Sequence, residues 1–207
     1  MSVLVLCVAR LIVSWYNSTR KESFMKIRLY HTGHEVIQCP DIHHGRVNAD
    51  FGQGFYLSDA EAFVGKWVHE RRGQDVIVNT YELELDGLNV LRFERDETWL
   101  QYITSNRGFQ KDAYPEVDVI IGPISNDTIY DTLGILASGF FDKEESLRLM
   151  KVGPTYYQTV LKSEKAVSNL TWIGSRVLEQ QEINQFKDIN KREEKEYLEE
   201  LTKAMNI

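Results

Sequence analysis

Residues 50–58 read Asp-Phe-Gly-Gln-Gly-Phe-Tyr-Leu-Ser (DFGQGFYLS), and the fold turns on how they are understood. Gly52 and Gly54 complete neither GxGxxG nor GxxxxGK, and a short aromatic and apolar run follows them where a phosphate loop would open a helix. The segment therefore predicts a strand over residues 54–57, punctuated by glycine. Glycine at such positions lets the backbone come close to a flat ligand.

Upstream, residues 26–30 alternate charged and apolar side chains, the period of a half-buried strand that carries His31 to its end. Between the two strands, residues 39–48 hold Pro40, Gly45, His43 and His44 without sustained period, which reads as a polar loop. Downstream, Ser58 or Asp59 caps a helix with Ala62, Phe63, Lys66, Trp67 and Glu70 at three- and four-residue intervals, ending at residues 71–73. Residues 75–85 (DVIVNTYELEL) pass from a continuous apolar run into alternation and form the clearest strand. Residues 97–107 have helical spacing through Trp99, Leu100, Tyr102 and Ile103, and residues 117–121 are the apolar run of a buried strand that Gly122 and Pro123 stop. A capped helix is expected over residues 125–141, a shorter one over 144–150 with Leu147 and Met150 inward, and the last strand over 156–162. From residue 179 the charged sequence, with Ile183, Phe186, Ile189, Tyr197, Leu198 and Leu201 on one side, predicts one amphipathic helix that packs a thin stripe on the domain or meets a partner.

Strands joined partly by helices, with long loops and no regular βαβ alternation, predict an α+β fold with mixed or antiparallel sheets. The 207 residues, 43% apolar and 11% aromatic, suffice for one domain with a real core. A net charge of −7 argues against a protein that grips nucleic acid by counterion release, though a local basic contact is compatible with it. Two cysteines, Cys7 and Cys39, read as reduced thiols. Residues 3–13 are apolar apart from Arg10 but too short to span a bilayer, and neither a basic segment before them nor a cleavage site after them marks a secretory signal. The expectation is a soluble chain, cytoplasmic or exported as an effector without a signal peptide. Met25 is an alternative start, so residues 1–24 are set apart as an extension, 25–178 as the domain and 179–207 as the charged helix. His31, His34, Cys39, His43 and His44 are dense in metal-ligand atoms but match no finger spacing, and no metal is expected.

Three segments, LYHTG around His31, GQGFYLS around Tyr56 and YYQTVLKS around Gln158, occur in an order that resembles the ADP-ribosyltransferase superfamily of the diphtheria-toxin and PARP type, whose pattern is His, Tyr, Glu. In detail the chain is most similar to a bacterial family known as DUF3990, through Tyr30 to Gly33, the block from Gly45 to Tyr56, Asn106 with Arg107, and the stretch from Gly122 to Asp127. The resemblance implies two mixed or antiparallel sheets forming a split NAD cleft with flanking helices. It implies a mono-ADP-ribosyltransferase acting on a macromolecule, a host protein such as ubiquitin or a nucleic acid, in a toxin or effector that a small antitoxin-like partner could accompany. NAD glycohydrolase activity and an inert NAD- or partner-binding module are the alternatives.

By the same resemblance, His31 would bond a ribose hydroxyl, Tyr56 would stack on nicotinamide, and the backbone at Thr32 and Gly33 would hold its amide. Asp50, Phe51, Gly52, Gly54 and Phe55 would complete the cleft wall, with Arg46 and Arg107 on the pyrophosphate. Gln158 departs from the pattern, standing where a glutamate would bond the ribose 2′-hydroxyl, so that the acceptor remains and the charge is lost. Charge-assisted hydrogen bonds are about twice as strong as neutral ones, and losing one preorganised group costs about 10²- to 10³-fold in rate. A compensating carboxylate is therefore expected. Asp127, beside Asn126, comes first, although either residue also reads as a helix cap; Glu164 and Asp50 follow.

Overall fold

The computed structural model describes residues 26–61, 71, 73–125, 144, 147, 148, 151 and 155–204. Seven strands form one mixed sheet: β1 (Lys26–Gly33), β2 (Phe55–Ser58), β3 (Ile77–Glu84), β4 (Val90–Arg92), β5 (Val119–Pro123), β6 (Tyr157–Leu161) and β7 (Leu170–Val177). Their spatial order is β4-β5-β6-β2-β1-β3-β7. Only β4 and β5 run parallel; the other neighbours are antiparallel. Among the described residues three helices have stated bounds, α1 (Glu97–Arg107), α2 (Glu164–Ser168) and α3 (Gln180–Ala204). The α+β class expected from the sequence is what the fold shows.

The described strands form one sheet where two were expected, and the junction of β1 with β2 is the reason. Along β1 and β3, eight residue pairs run from Lys26↔Glu84 to Gly33↔Ile77, whereas β1 and β2 register at Tyr30↔Ser58 alone. That single pair joins two well-laddered halves, β4-β5-β6-β2 and β1-β3-β7.

Strand alternation divides the side chains between two faces. Leu29, Phe55, Leu57, Tyr81, Leu83, Val119 and Leu161 form the core of one face, covered by Ile42 of the long loop and Ala166 of α2. Buried Asn79 and Tyr81 pin that loop, with Asn79 accepting from Ile37 N and donating to Glu35 O, and Tyr81 donating to Ile37 O at 2.6 Å. On the other face Trp99, Leu100, Tyr102 and Ile103 of α1 pack on Ile120 and Val160, with Phe51 and Phe93 between them. Farther along it, Val76 and Val78 meet Leu178 and Ile183, with Phe186 of α3 against them.

Helix α1 begins and ends where its residues predicted. Asp96 accepts from Trp99 N at 2.9 Å as its N-cap. Other boundaries differ. Gly122 and Pro123 lie inside β5, because Gly122 pairs with Gln158 and packs under Phe51, where a Cβ would stand 2.8 Å from its ring. The last strand is β7, not β6; the sequence of β7, LTWIGSRV, holds Gly174 and has its outward residues exposed along a sheet edge, so no apolar run announces it. The helices expected over 62–70 and 125–141 lie outside the described residues, as does most of the one over 144–150.

Candidate functional site

The chain from Asp50 to Tyr56 makes a tight turn into β2. Gly52 has φ +72°, a conformation that glycine adopts without strain. The Tyr56 hydroxyl closes the turn, accepting from Phe51 N at 2.9 Å and donating to Gly52 O at 2.7 Å. Burial and the Asp50 charge hold that hydroxyl far above the usual tyrosine value, so it stays protonated and remains a donor. Lys162, at the end of β6, donates to Phe51 O at 2.5 Å and pairs with Asp112 at 3.2 Å. The close approaches that the glycines permit are to the protein's own backbone. A Cβ on Gly54 would lie 2.6 Å from Leu161 O, and one on Gly45 2.6 Å from Gly54 O.

Asp50, 8% exposed, is the centre of a polar cluster. Arg107 Nε donates to Asp50 Oδ1 at 2.9 Å, and its Nη2 contacts the same oxygen while donating to Ser125 Oγ at 2.7 Å. The other carboxylate oxygen, Oδ2, accepts from Ser125 N and Oγ, both at 3.3 Å, and from Gln158 Nε2 at 3.2 Å. Asn106 fixes the Asp50 carbonyl at 2.9 Å. One buried carboxylate thus ties together the DFGQG turn, the end of α1, the end of β5 and the start of β6, and the cation beside it offsets the burial of its charge.

Tyr30↔Ser58, Ser58↔Gln158 and Tyr56↔Val160 put Thr32, Tyr30, Ser58, Tyr56 and Gln158 on one sheet face, the face of Asp50 and α1. His31 alternates to the other. Where β1 parts from β2, its ring lies 4.7 Å from that of Phe55, and its Nδ1 donates to Tyr56 O at 2.8 Å, satisfying a carbonyl at the parting of the two strands. Burial holds the imidazole below its usual pKa, with the Tyr56 carbonyl opposing. A neutral ring donating through Nδ1 keeps Nε2 as an acceptor. Thr32 Oγ1, on the Tyr56 face, is buried without a hydrogen-bond partner among the described residues.

The family model described as "Protein of unknown function (DUF3990)" matches residues 27–172, more than two thirds of the chain. The chain belongs to the DUF3990 family. No curated protein and no solved structure matches it. The DUF3990 match contains the whole Asp50 cluster and ends within β7, ahead of α3.

Of the residues expected to form the site, the DUF3990 domain brings Asp50, Phe51, Gly52, Tyr56, Arg107 and Gln158 together, with His31 and Phe55 against the Tyr56 backbone. Arg46 is exposed, and its charge is felt at Tyr56. Asn126 and Asp127 lie outside the described residues. Glu164 is exposed beside His43, on α2. Ser125 and Lys162 were missed. Ser125 falls inside the GPISND segment already singled out, but nothing in the sequence marks Lys162 as half-buried. Among the described residues no three His, Cys, Asp or Glu side chains converge on one point, and no helix is long and apolar enough to cross a membrane.

Proposed function

We propose that the chain is an NAD-dependent mono-ADP-ribosyltransferase, with the DUF3990 domain a divergent branch of the ADP-ribosyltransferase superfamily and its NAD cleft where β1 parts from β2. The observation that carries this reading is the buried Asp50 carboxylate 3.2 Å from the Gln158 amide. It is the compensating negative charge that glutamine at this position calls for. Support comes also from Tyr56 and Thr32 on the same face, and from the unpartnered Thr32 hydroxyl.

In this reading the Tyr56 ring receives nicotinamide and His31 Nε2 accepts from a ribose hydroxyl. Arg107 is engaged with Asp50 and Ser125, so Arg46 takes the pyrophosphate. The bond between ribose C1′ and the nicotinamide nitrogen breaks with its electron pair leaving on nicotinamide. Positive charge grows at C1′, and Gln158 Oε1 accepts from the 2′-hydroxyl while the Asp50 charge stands behind it. A nucleophile of the macromolecular acceptor bonds to C1′ and gives up its proton to solvent. Preorganised groups of this kind are the largest single source of rate in such sites.

One observation favours a second reading, an NAD- or partner-binding module without turnover: the Asp50 carboxylate already has Arg107, Ser125 and Gln158 as partners. Purified protein incubated with carbonyl-labelled NAD and a cell lysate separates the two. Transfer releases free nicotinamide and labels a macromolecule when the adenylate is the labelled half, and hydrolysis releases nicotinamide without labelling. Binding without release supports the module, and neither binding nor release removes NAD from the account.

A further inference from the structure

We infer that Asp50 is a positioning residue that acts through Gln158, the two together doing at this site what a single glutamate would do; the inference rests on the NAD reading above. Gln158 is buried at the start of β6, and its Nε2 donates to Asp50 Oδ2 at 3.2 Å. An amide that gives its N–H to a carboxylate presents its carbonyl oxygen on the opposite side. It is polarised by the charge behind it, more strongly in a low-dielectric interior than in water. Oε1 takes no hydrogen bond from the described residues and is left for a substrate hydroxyl. The carboxylate itself is held on both sides, Oδ1 by Arg107 and Oδ2 by Ser125 N and Oγ, so a flipped amide would set Gln158 Oε1 against Oδ2, two acceptors with no proton between them.

Glutamine at 158 is then required by aspartate at 50, and is not a lost glutamate. A glutamate there would put a second carboxylate against Asp50 Oδ2, and two carboxylates at that distance ionise together only at cost; the last proton leaves at a raised pKa that belongs to the pair, and above it two charges repel. Among the described residues, the charged and titratable groups facing the pair are Arg107 from α1, which contacts Oδ1, and the Tyr56 hydroxyl from β2, which stays protonated and has Arg46 nearby. Serine 125 carries no charge.

Nicotinamide release and NAD binding by calorimetry, measured from pH 5.5 to 8.5 on the full chain, test this with Asp50→Asn, Gln158→Glu, Gln158→Ala and the doubles D50N/Q158E and D50N/Q158A. Asp50→Asn should slow release by on the order of 10²-fold. Gln158→Glu, despite restoring the superfamily residue, should be slower than the wild type at pH 8 and recover on acidification, because the shared proton restores the donor to Asp50. D50N/Q158E should regain much of the rate, since the amide and carboxylate have only exchanged places. D50N should cost nothing further in the Gln158→Ala background, a coupling that loss of fold would not produce and that remains measurable if Gln158→Glu does not fold. Gln158→Glu as fast as or faster than wild type at pH 8, or additive losses in D50N/Q158A, overturns the inference while leaving NAD binding intact. A wild-type chain that neither binds NAD nor releases nicotinamide overturns both readings together.

Discussion

At the scale of single residues the DFGQGFY block is held by self-contact. Gly54 lies so close to β6 that a methyl group would meet Leu161 O at 2.6 Å and Val160 Cγ1 at 2.7 Å. Gly54→Ala should therefore destabilise the fold by about 1–3 kcal/mol, read from urea midpoints, and a neutral result would show that β2 and β6 can separate freely. His31 makes a second prediction. Its folded pKa lies below the usual 6.5, first because of burial. The unfolded chain therefore binds the extra proton, and stability present above about pH 6.5 is lost as pH falls towards the folded value. Denaturation midpoints at about pH 7.5 and 5.5 should differ, and His31→Gln should flatten that difference. The roles of glycine were legible only in part. The sequence marks where backbone comes close to something, whereas whether that something is a ligand or β6 depends on long-range pairing. The same holds for Asp50: it came after Asp127, in the GPISND segment, and Glu164 among the carboxylates, because its 108-residue separation from Gln158 is bridged only by the sheet.

At the scale of elements, local signals were clearest where one element met its own caps and core. Helix α1 was readable because Trp99, Leu100, Tyr102 and Ile103 recur on its buried face, and the structure adds Asp96 as its cap. Its C-terminus carries a misfit: Gly108 has φ −78°, and Phe109, the next residue, takes φ 57° and is 72% exposed. Left-handed backbone costs a non-glycine residue about 1–2 kcal/mol, so Phe109→Gly should raise stability by about 1 kcal/mol, and a lower thermal midpoint would contradict this. Strand β7 was not readable. A register shift opposite Thr80 and Tyr81 breaks its alternation, and Ile173 and Val177 are each 51% exposed, so the pattern that would identify a half-buried strand is blurred along an edge.

At the scale of the whole molecule, two laddered half-sheets meet at Tyr30↔Ser58, and different helices cover them. The α+β class followed from the spacing of elements, but the number of sheets did not, because one residue pair decides it. Helix α3 packs Ile183 and Phe186 on Val76, Val78 and Leu178, with Tyr197 buried at 3%. Ile183→Ala should cost about 2–4 kcal/mol, and an unchanged unfolding midpoint would mean that α3 only rests on the sheet. The Asp50 cluster draws on both the β4-β5-β6-β2 half and α1, next to the junction, so a ligand bound there would stabilise the whole unit by mass action. The most direct measurement is a calorimetric titration of NAD into the full chain and into Tyr56→Ala. Saturable one-to-one binding by the wild type that Tyr56→Ala loses is the predicted result; no binding, or equal binding by both, contradicts the proposed site.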